Sequence, residues 1–337
     1  MISAILETIG MVTPGLMILD SSIPVPPRSP VKNISASILA DSISRDGHRI
    51  TTFELEYPRF IHAEFMTHRL FSRNAASSRA IPVKTQLQNI RDNTAHPIHW
   101  GANQAGMQAR EESDNLVNGM KAKEAWKEAA KEAARWAEEF DSAGYHKQIV
   151  NRLTEPFSRI KVVCTATEYD NFFWLRRHPA AQPEIQELAN QMFDVRQESK
   201  PRLLEENEWH LPYVDDSIKD DVENYLLSNS SDEIKSAEDL LLRISASCCA
   251  QVSYRKNDTS IEKALKLFNQ LVPSMNSTSP VHASPFEHQA TPILPTHNFK
   301  YPGITHTCHR DGSRWSGNFR WWIQYRQLIP GHAKWNL

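Results

Sequence analysis

Thr67-His68-Arg69-Leu70-Phe71-Ser72-Arg73-Asn74-Ala75-Ala76-Ser77-Ser78-Arg79 is the stretch on which the reading of this chain turns. It holds His68, Arg69 and Arg79, the hydroxyls of Ser72 and Ser77, and the amide of Asn74. Forked guanidinium groups beside hydroxyl donors suit a phosphate and a polar heterocycle. Composition alone also allows a plainer reading, a solvated basic loop, since loops are generally polar and irregular.

Outward from this stretch the pattern becomes regular. Arg49-Ile-Thr-Thr-Phe-Glu-Leu-Glu-Tyr57 alternates with a period of two, which predicts a strand with Phe53, Leu55 and Tyr57 on one face. Pro58 suits the first turn of a helix. Phe60, Ile61, Glu64, Phe65 and His68 continue it at helical spacing, so a helix is expected to run into Thr67–Leu70. The Ser/Asn-rich segment from Ser72 to Pro82 then favours turns. A long amphipathic helix is expected over about 109–140, ended near Gly144. Ile160–Thr167 reads as a buried strand or a helix segment. Further helices are expected at 183–196, 240–254 and 261–271, and Phe319–Arg326 also reads as helical. Residues 199–239, with an acidic run from Asp215 to Glu223, read as a looser surface insertion. Residues 1–33, proline-rich at Ile23–Pro27, read as an N-terminal arm. The expected fold class is α+β: a small mixed or antiparallel sheet with several long helices, in one domain over 34–337.

The bulk numbers exclude several classes. The chain has 337 residues, 40% hydrophobic and 23% charged, enough for a sizeable core. A net charge of -2 provides no global basic field, so neither nucleic acid nor an anionic membrane is an expected partner. Four cysteines with no Cys-x-x-Cys spacing argue against a disulfide framework, and a cytoplasmic location is expected. No apolar run approaches the roughly 20 residues of a membrane span. His297, His306, Cys308 and His309 match no familiar zinc spacing, and no metal is expected.

Two further constellations accompany the first. One is Asn151-Arg152 … Pro156 followed by Asn171-Phe-Phe-Trp-Leu-Arg176 and Ala181-Gln182-x-Glu184-Ile185. Its apolar members read as core, whereas Asn171 and Arg176 point to a ligand. The other is His282-Ala-Ser-Pro-Phe-Glu-His288.

Together these motifs resemble the flavin-dependent thymidylate synthases. That family's signature reads Arg-His-Arg-x-x-Ser-x-Asn-Glu-x-Ser-x-Arg. This chain keeps the His, second Arg, both Ser, Asn and final Arg at unchanged spacing, with Thr67 and Ala75 in place of the first Arg and the Glu. The second constellation is similar to the family's Ala-Arg-x-x-Leu-Pro, Asn-Phe-Leu-x-Leu-Arg and Ala-Gln-x-Glu-Ile segments. The third is similar to its His-x-[Thr/Ser]-Pro-Phe-Glu-His element, which there precedes the signature; here it follows by about 200 residues, so the order looks circularly permuted, as closely spaced surface termini allow. The resemblance covers roughly 45–90, 146–193 and 240–290.

The resemblance implies FAD-dependent conversion of dUMP to dTMP, with methylenetetrahydrofolate as carbon donor and NADPH as reductant. It implies substrate contacts from Arg69, Ser77, Arg79, Arg152 and Arg176, with Ser77 and Arg176 catalytic. It places His68, Asn74, Asn171, His282, Ser284 and Glu287 at the flavin, and it implies a homo-oligomer, a tetramer in the family. A pyrimidine hydroxymethylase, suggested by Thr67 and Ala75, and a non-catalytic nucleotide-binding protein are the alternatives. A covalent route would need a cysteine nucleophile, but Cys164 lies in an apolar run and reads as core.

Overall fold

The computed structural model describes residues 34–229, 234, 236–253, 257–273 and 279–333. The N-terminal arm expected over 1–33 lies outside them. The fold is α+β, as expected. Its framework is a five-stranded mixed sheet in which β1 (Ser35–Ser44) and β2 (Arg49–Pro58) form an antiparallel hairpin. The hairpin turns at Asp46-Gly47, where Gly47 adopts φ +82°, a conformation open to glycine at little cost. A bulge between Ile38 and Ala40 shifts the register.

A short helix α1 (His62–Phe65) leads to β3 (Ser72–Ala75), α2 (Val83–Asp92), α3 (Ala122–Ser142) and α4 (Lys147–Val150). A 3-10 turn, Asn151–Phe157, connects to β4 (Arg159–Ala166). Then come α5 (Asp170–Arg176), α6 (Pro183–Glu198) and β5 (Arg202–Leu204). The sheet order is β3-β4-β2-β1-β5, antiparallel except for the β1–β5 pair. The C-terminal half supplies α7 (Asp216–Ser228), α8 (Ala237–Ala250) and α9 (Ile261–Leu271). Short strands follow: β6 (Ala290–Pro292), β7 (His306–Thr307), β8 (Arg314–Ser316), β9 (Phe319–Arg320) and β10 (Trp322–Gln324). No helix among the described residues is long and apolar enough to cross a membrane.

The sheet has two unlike faces. On the first, Phe53, Leu55 and Tyr57 stand opposite Cys164, Val162 and Ile160. These residues form the main core with Phe65, Phe71, Tyr169, Phe172, Ile185, Leu188 and Met192, and their burial is the largest apolar contribution to stability. On the second, Thr52, Glu54 and Glu56 stand opposite Thr165, Val163 and Lys161, and Ser72 and Asn74 continue the face on β3. This polar face is covered by the C-terminal half largely through hydrogen bonds. Tyr213 donates to Glu54 at 3.0 Å, and the Asn74 amide donates to the Cys249 carbonyl at 3.1 Å. The buried rings of His210 and His288 meet Thr52 and Thr165 at 2.7 and 2.8 Å, and these two threonines bond each other at 2.7 Å.

Several expectations are corrected. The helix predicted through Leu70 ends at Phe65, after which Thr67 caps back onto the Glu64 carbonyl at 2.7 Å and tight turns take over. Ser72–Ala75, expected as turn, is a strand, because pairing with β4 overrides local propensity. The long helix begins at Ala122 instead of about 109. Asn118 and Gly119 both take positive φ there, the Asn-Gly turn that closes a small hairpin at Val117 and Met120. The open reading of Ile160–Thr167 resolves as strand β4. Residues 199–239 contain β5 and the helix α7, capped by Asp215 on the Ile218 amide at 3.0 Å. Phe319–Arg326 is not helical: Trp321 at φ +65° separates β9 from β10, and a 3-10 turn follows.

Candidate active site

The segment after β3 is a loop whose backbone is gripped from inside. The Ala76 amide donates to the Lys161 carbonyl at 2.8 Å, and Arg59 donates to the Ala76 carbonyl at 3.0 Å. The Ser77 amide donates to Ser253 Oγ at 3.0 Å. Ser78 Oγ donates to Glu155 at 2.7 Å. Asn151, almost fully buried, donates both amide protons, to the carbonyls of Ser78 at 2.7 Å and Ile81 at 2.9 Å. Lys147 reaches the Ala80 carbonyl at 3.3 Å. With the backbone so occupied, the half-buried Ser77 and the exposed Arg79 remain to meet a ligand. Arg152 is exposed on the same 3-10 turn as Asn151. Thus Ser77, Arg79 and Arg152 gather at one end of β3.

His68 and Arg176 gather at the other end, separated from the first group by the four residues of β3, roughly 10 Å of strand. Arg176 Nε donates to His68 Nε2 at 2.9 Å, and its guanidinium also pairs with Glu64. The His68 ring packs edge-on against Phe172. Burial, reinforced by the positive charges of Arg176 and Arg73, pulls its pKa down to about 4. The ring is therefore neutral near pH 7. Since Nε2 accepts, the proton sits on Nδ1, which is a donor. Arg69 is exposed beside it, and Asn171 is exposed on α5 with Trp174 and Leu175, one and one-plus turn away on the same helix face. Met66 and Leu70 are also exposed. A planar, partly apolar and partly anionic group would find apolar surface, guanidinium groups and N–H donors here, so this donor set fits a flavin.

The 282–288 element is divided. Its 3-10 turn, Ser284–Glu287, packs against β3 across some 200 residues of chain. Gln324 ties them, donating to Ser72 Oγ at 3.2 Å and to the Glu287 carbonyl at 3.3 Å. The Glu287 carboxylate pairs with Arg326. His282 and Ser284 are exposed. Asn74 keeps a buried Oδ1 without a hydrogen-bond partner among the described residues. Ala75 pairs with Val162 on the core face and offers no carboxylate. Cys164, Cys248 and Cys249 are buried, and burial pushes the first two thiols up to about 12. Among the described residues no cluster of metal-ligating side chains occurs.

Sequence reasoning did not single out Asn151, Glu155, Arg59, Ser253 or Gln324. Asn151 and Glu155 flank Arg152 in the second motif and occupy the positions of its alanine and leucine, a departure visible in the sequence. The others act from distant segments and leave no local signal.

A five-stranded mixed sheet with an arginine-bearing loop beyond an edge strand is the class of site described here. Residues 47–202 match the thymidylate synthase complementing protein family. A UMP/dUMP methylase, PolB, from Streptomyces cacaoi, solved with 5-Br UMP, is similar at 17% identity and a TM-score of 0.40, over 51% of this chain and 92% of that one. The same enzyme with 5-Br dUMP aligns at 15% identity and a TM-score of 0.38, over 49% and 91%. No curated protein matches the sequence.

Proposed function

We propose that the chain is a flavin-dependent enzyme that transfers a one-carbon unit to the pyrimidine of dUMP. The observation that carries this reading is the loop of Ser77 and Arg79, whose backbone is bonded inward so that a hydroxyl and a guanidinium face outward beside Arg152. It lies within the family match over 47–202. In this reading Arg79 and Arg152 neutralise the nucleotide phosphate, and Ser77 holds the substrate in place. His68 and Asn171 orient FAD, with Asn74, His282, Ser284 and Glu287 as further flavin candidates. Arg69 and Arg176, expected from the resemblance as substrate contacts, are reassigned to FAD because they lie beside His68 at the far end of β3 from Arg79. When bound, FAD supplies the redox chemistry, and methylenetetrahydrofolate and NADPH supply carbon and electrons. The protein aligns the rings and excludes water. The exposed Met66, Leu70, Trp174 and Leu175 beside the flavin residues support a homo-oligomer.

Reductive methylation to dTMP is the first reading of the product. Ala75, which places a methyl group where the family signature has a carboxylate, favours hydroxymethyl-dUMP as the second. The test is an absorbance spectrum of purified protein, with flavin bands near about 375 and 450 nm expected of the cofactor, followed by mass spectrometry of dUMP turned over with methylenetetrahydrofolate and NADPH. Colourless protein that takes up no FAD and leaves dUMP unchanged would overturn the proposal.

A further inference from the structure

The 3-10 turn Asn151–Phe157 does two things within a few residues. It presents the exposed Arg152, and it grips the loop that carries Arg79. The grip has two tethers. Asn151 spends both amide protons on carbonyls that bracket Arg79, those of Ser78 and Ile81. Glu155 accepts the hydroxyl proton of Ser78 at 2.7 Å. Asn151 is 1% exposed and Ser78 7%, so neither tether is a surface contact that solvent readily replaces. Both tethers come from side chains that an apolar residue of similar size would replace as far as packing goes. A packing role therefore does not account for them, whereas the two bonds to carbonyls on either side of Arg79 set the direction in which that side chain leaves the loop.

We propose that Asn151, seconded by Glu155, is a positioning residue that fixes Arg79 and Arg152 at one mutual spacing for a single anionic ligand, the phosphate of the nucleotide. This rests on the nucleotide reading given above. The two guanidinium groups come from segments more than 70 residues apart. The turn links them through the buried Asn151 and through Glu155, and α4 adds an exposed link, Lys147 to the Ala80 carbonyl at 3.3 Å and Arg152 Nε to the Gln148 carbonyl at 3.2 Å. With the turn loosened, each arginine retains its charge but the pair loses its common geometry. The consequence is a substrate-binding defect and not a chemical one, because His68 and Arg176, the residues proposed to hold the flavin, lie at the other end of β3.

The experiment uses the full-length, flavin-loaded protein and dUMP. Asn151→Ala is expected to raise KM for dUMP by about tenfold or more while kcat stays within about threefold, with the flavin spectrum unchanged. Asn151→Asp adds a readout that loss of stability alone would not produce. Facing two carbonyls, its carboxyl is driven toward the neutral form, and only that form donates a proton to either carbonyl. Its dUMP affinity is therefore expected to recover as pH falls from 8 to 6, a trend absent from the wild type. Unchanged KM in a folded Asn151→Ala variant, or a loss confined to kcat, overturns the inference. If Asn151→Ala does not fold, Glu155→Leu, which removes the second tether, decides in the same way. Arg79→Lys separates the two levels: weakened dUMP binding there with no effect at Asn151 or Glu155 sinks this inference alone, whereas a wild type that binds no dUMP sinks the nucleotide reading and this inference with it.

Discussion

Arg176 Nε donates to His68 Nε2 at 2.9 Å, joining two residues 108 positions apart. An arginine has no acceptor, so this bond dictates which histidine nitrogen is bare and which carries the proton. It also adds a positive charge beside the ring, second to burial among the causes that hold its pKa near 4. Arg176→Gln should therefore raise the His68 pKa part of the way to 6.5, since burial remains. Histidine NMR titration reads this directly, and an unmoved pKa would contradict the coupling. FAD affinity should fall by about tenfold or more, the effect of losing a hydrogen bond to a charged group.

Arg79 leaves a loop held by at least four backbone bonds, and a planar fork is hard to replace there. Arg79→Lys should weaken dUMP binding by about 1.5–3 kcal/mol, the range for hydrogen bonds to charged groups, with little change in melting temperature because the side chain is exposed. Calorimetry with dUMP is the check; unchanged affinity would remove Arg79 from the site.

The cysteines are expected to be dispensable for chemistry. Cys164 and Cys248, with thiols pushed up to about 12, hold almost no thiolate at pH 7. Burial raises Cys249 as well. Replacing all four with alanine should leave turnover within about tenfold, or about 1.4 kcal/mol, although some packing is lost. A drop of several orders of magnitude in a folded variant would restore a covalent mechanism.

Acid should destabilise the fold well above the range where carboxylates titrate. His210 and His288, whose burial pulls them down to about 3, and His62 and His68, near 4, are neutral in the folded chain and ordinary near 6.5 when unfolded. Between those values the unfolded chain binds more protons, so stability is fully present above about 6.5 and declines as pH falls toward 4. Each such group adds a slope of up to about 1.4 kcal/mol per pH unit. Urea melts at pH 7.5, 6 and 5 should show the decline, and His288→Gln should flatten it. A flat profile would mean these rings are hydrated.

How much of this was legible depended on where the information lay. β2 declared itself through Phe53, Leu55 and Tyr57, because its two faces differ in polarity and period. α6 was expected over 183–196, and in the structure the Gln182 side chain opens it by accepting the Ile185 amide at 3.1 Å. β3 was unreadable locally. Its serine and asparagine favour turns, and only β4 on one side and Cys249 and Gln324 above it make it a strand. Phe319–Arg326 misled for the opposite reason: Trp322 and Ile323 are both buried, so the run carries no two-residue alternation. At the site, the charged groups proposed to face a ligand stood out in the motif. Of the residues that hold them, Asn151 showed only as a departure from the motif, with nothing to say what it bonds, and Gln324 acts across a long separation and was invisible.

The polar face of the sheet has a consequence for assembly. Apolar surfaces attract but tolerate sliding, because contact area changes little with small offsets. A face bearing Thr52, Thr165, Glu54 and Asn74, each matched to a particular ring, phenol or carbonyl, works instead as an address. A shift of one residue exposes the wrong side of the strand and strands every one of these groups without a partner. Such a face selects its cover by the pattern of donors and acceptors, whichever side of the strands in the chain that cover is encoded. The order in which the pieces are written can then change while the assembled object stays the same.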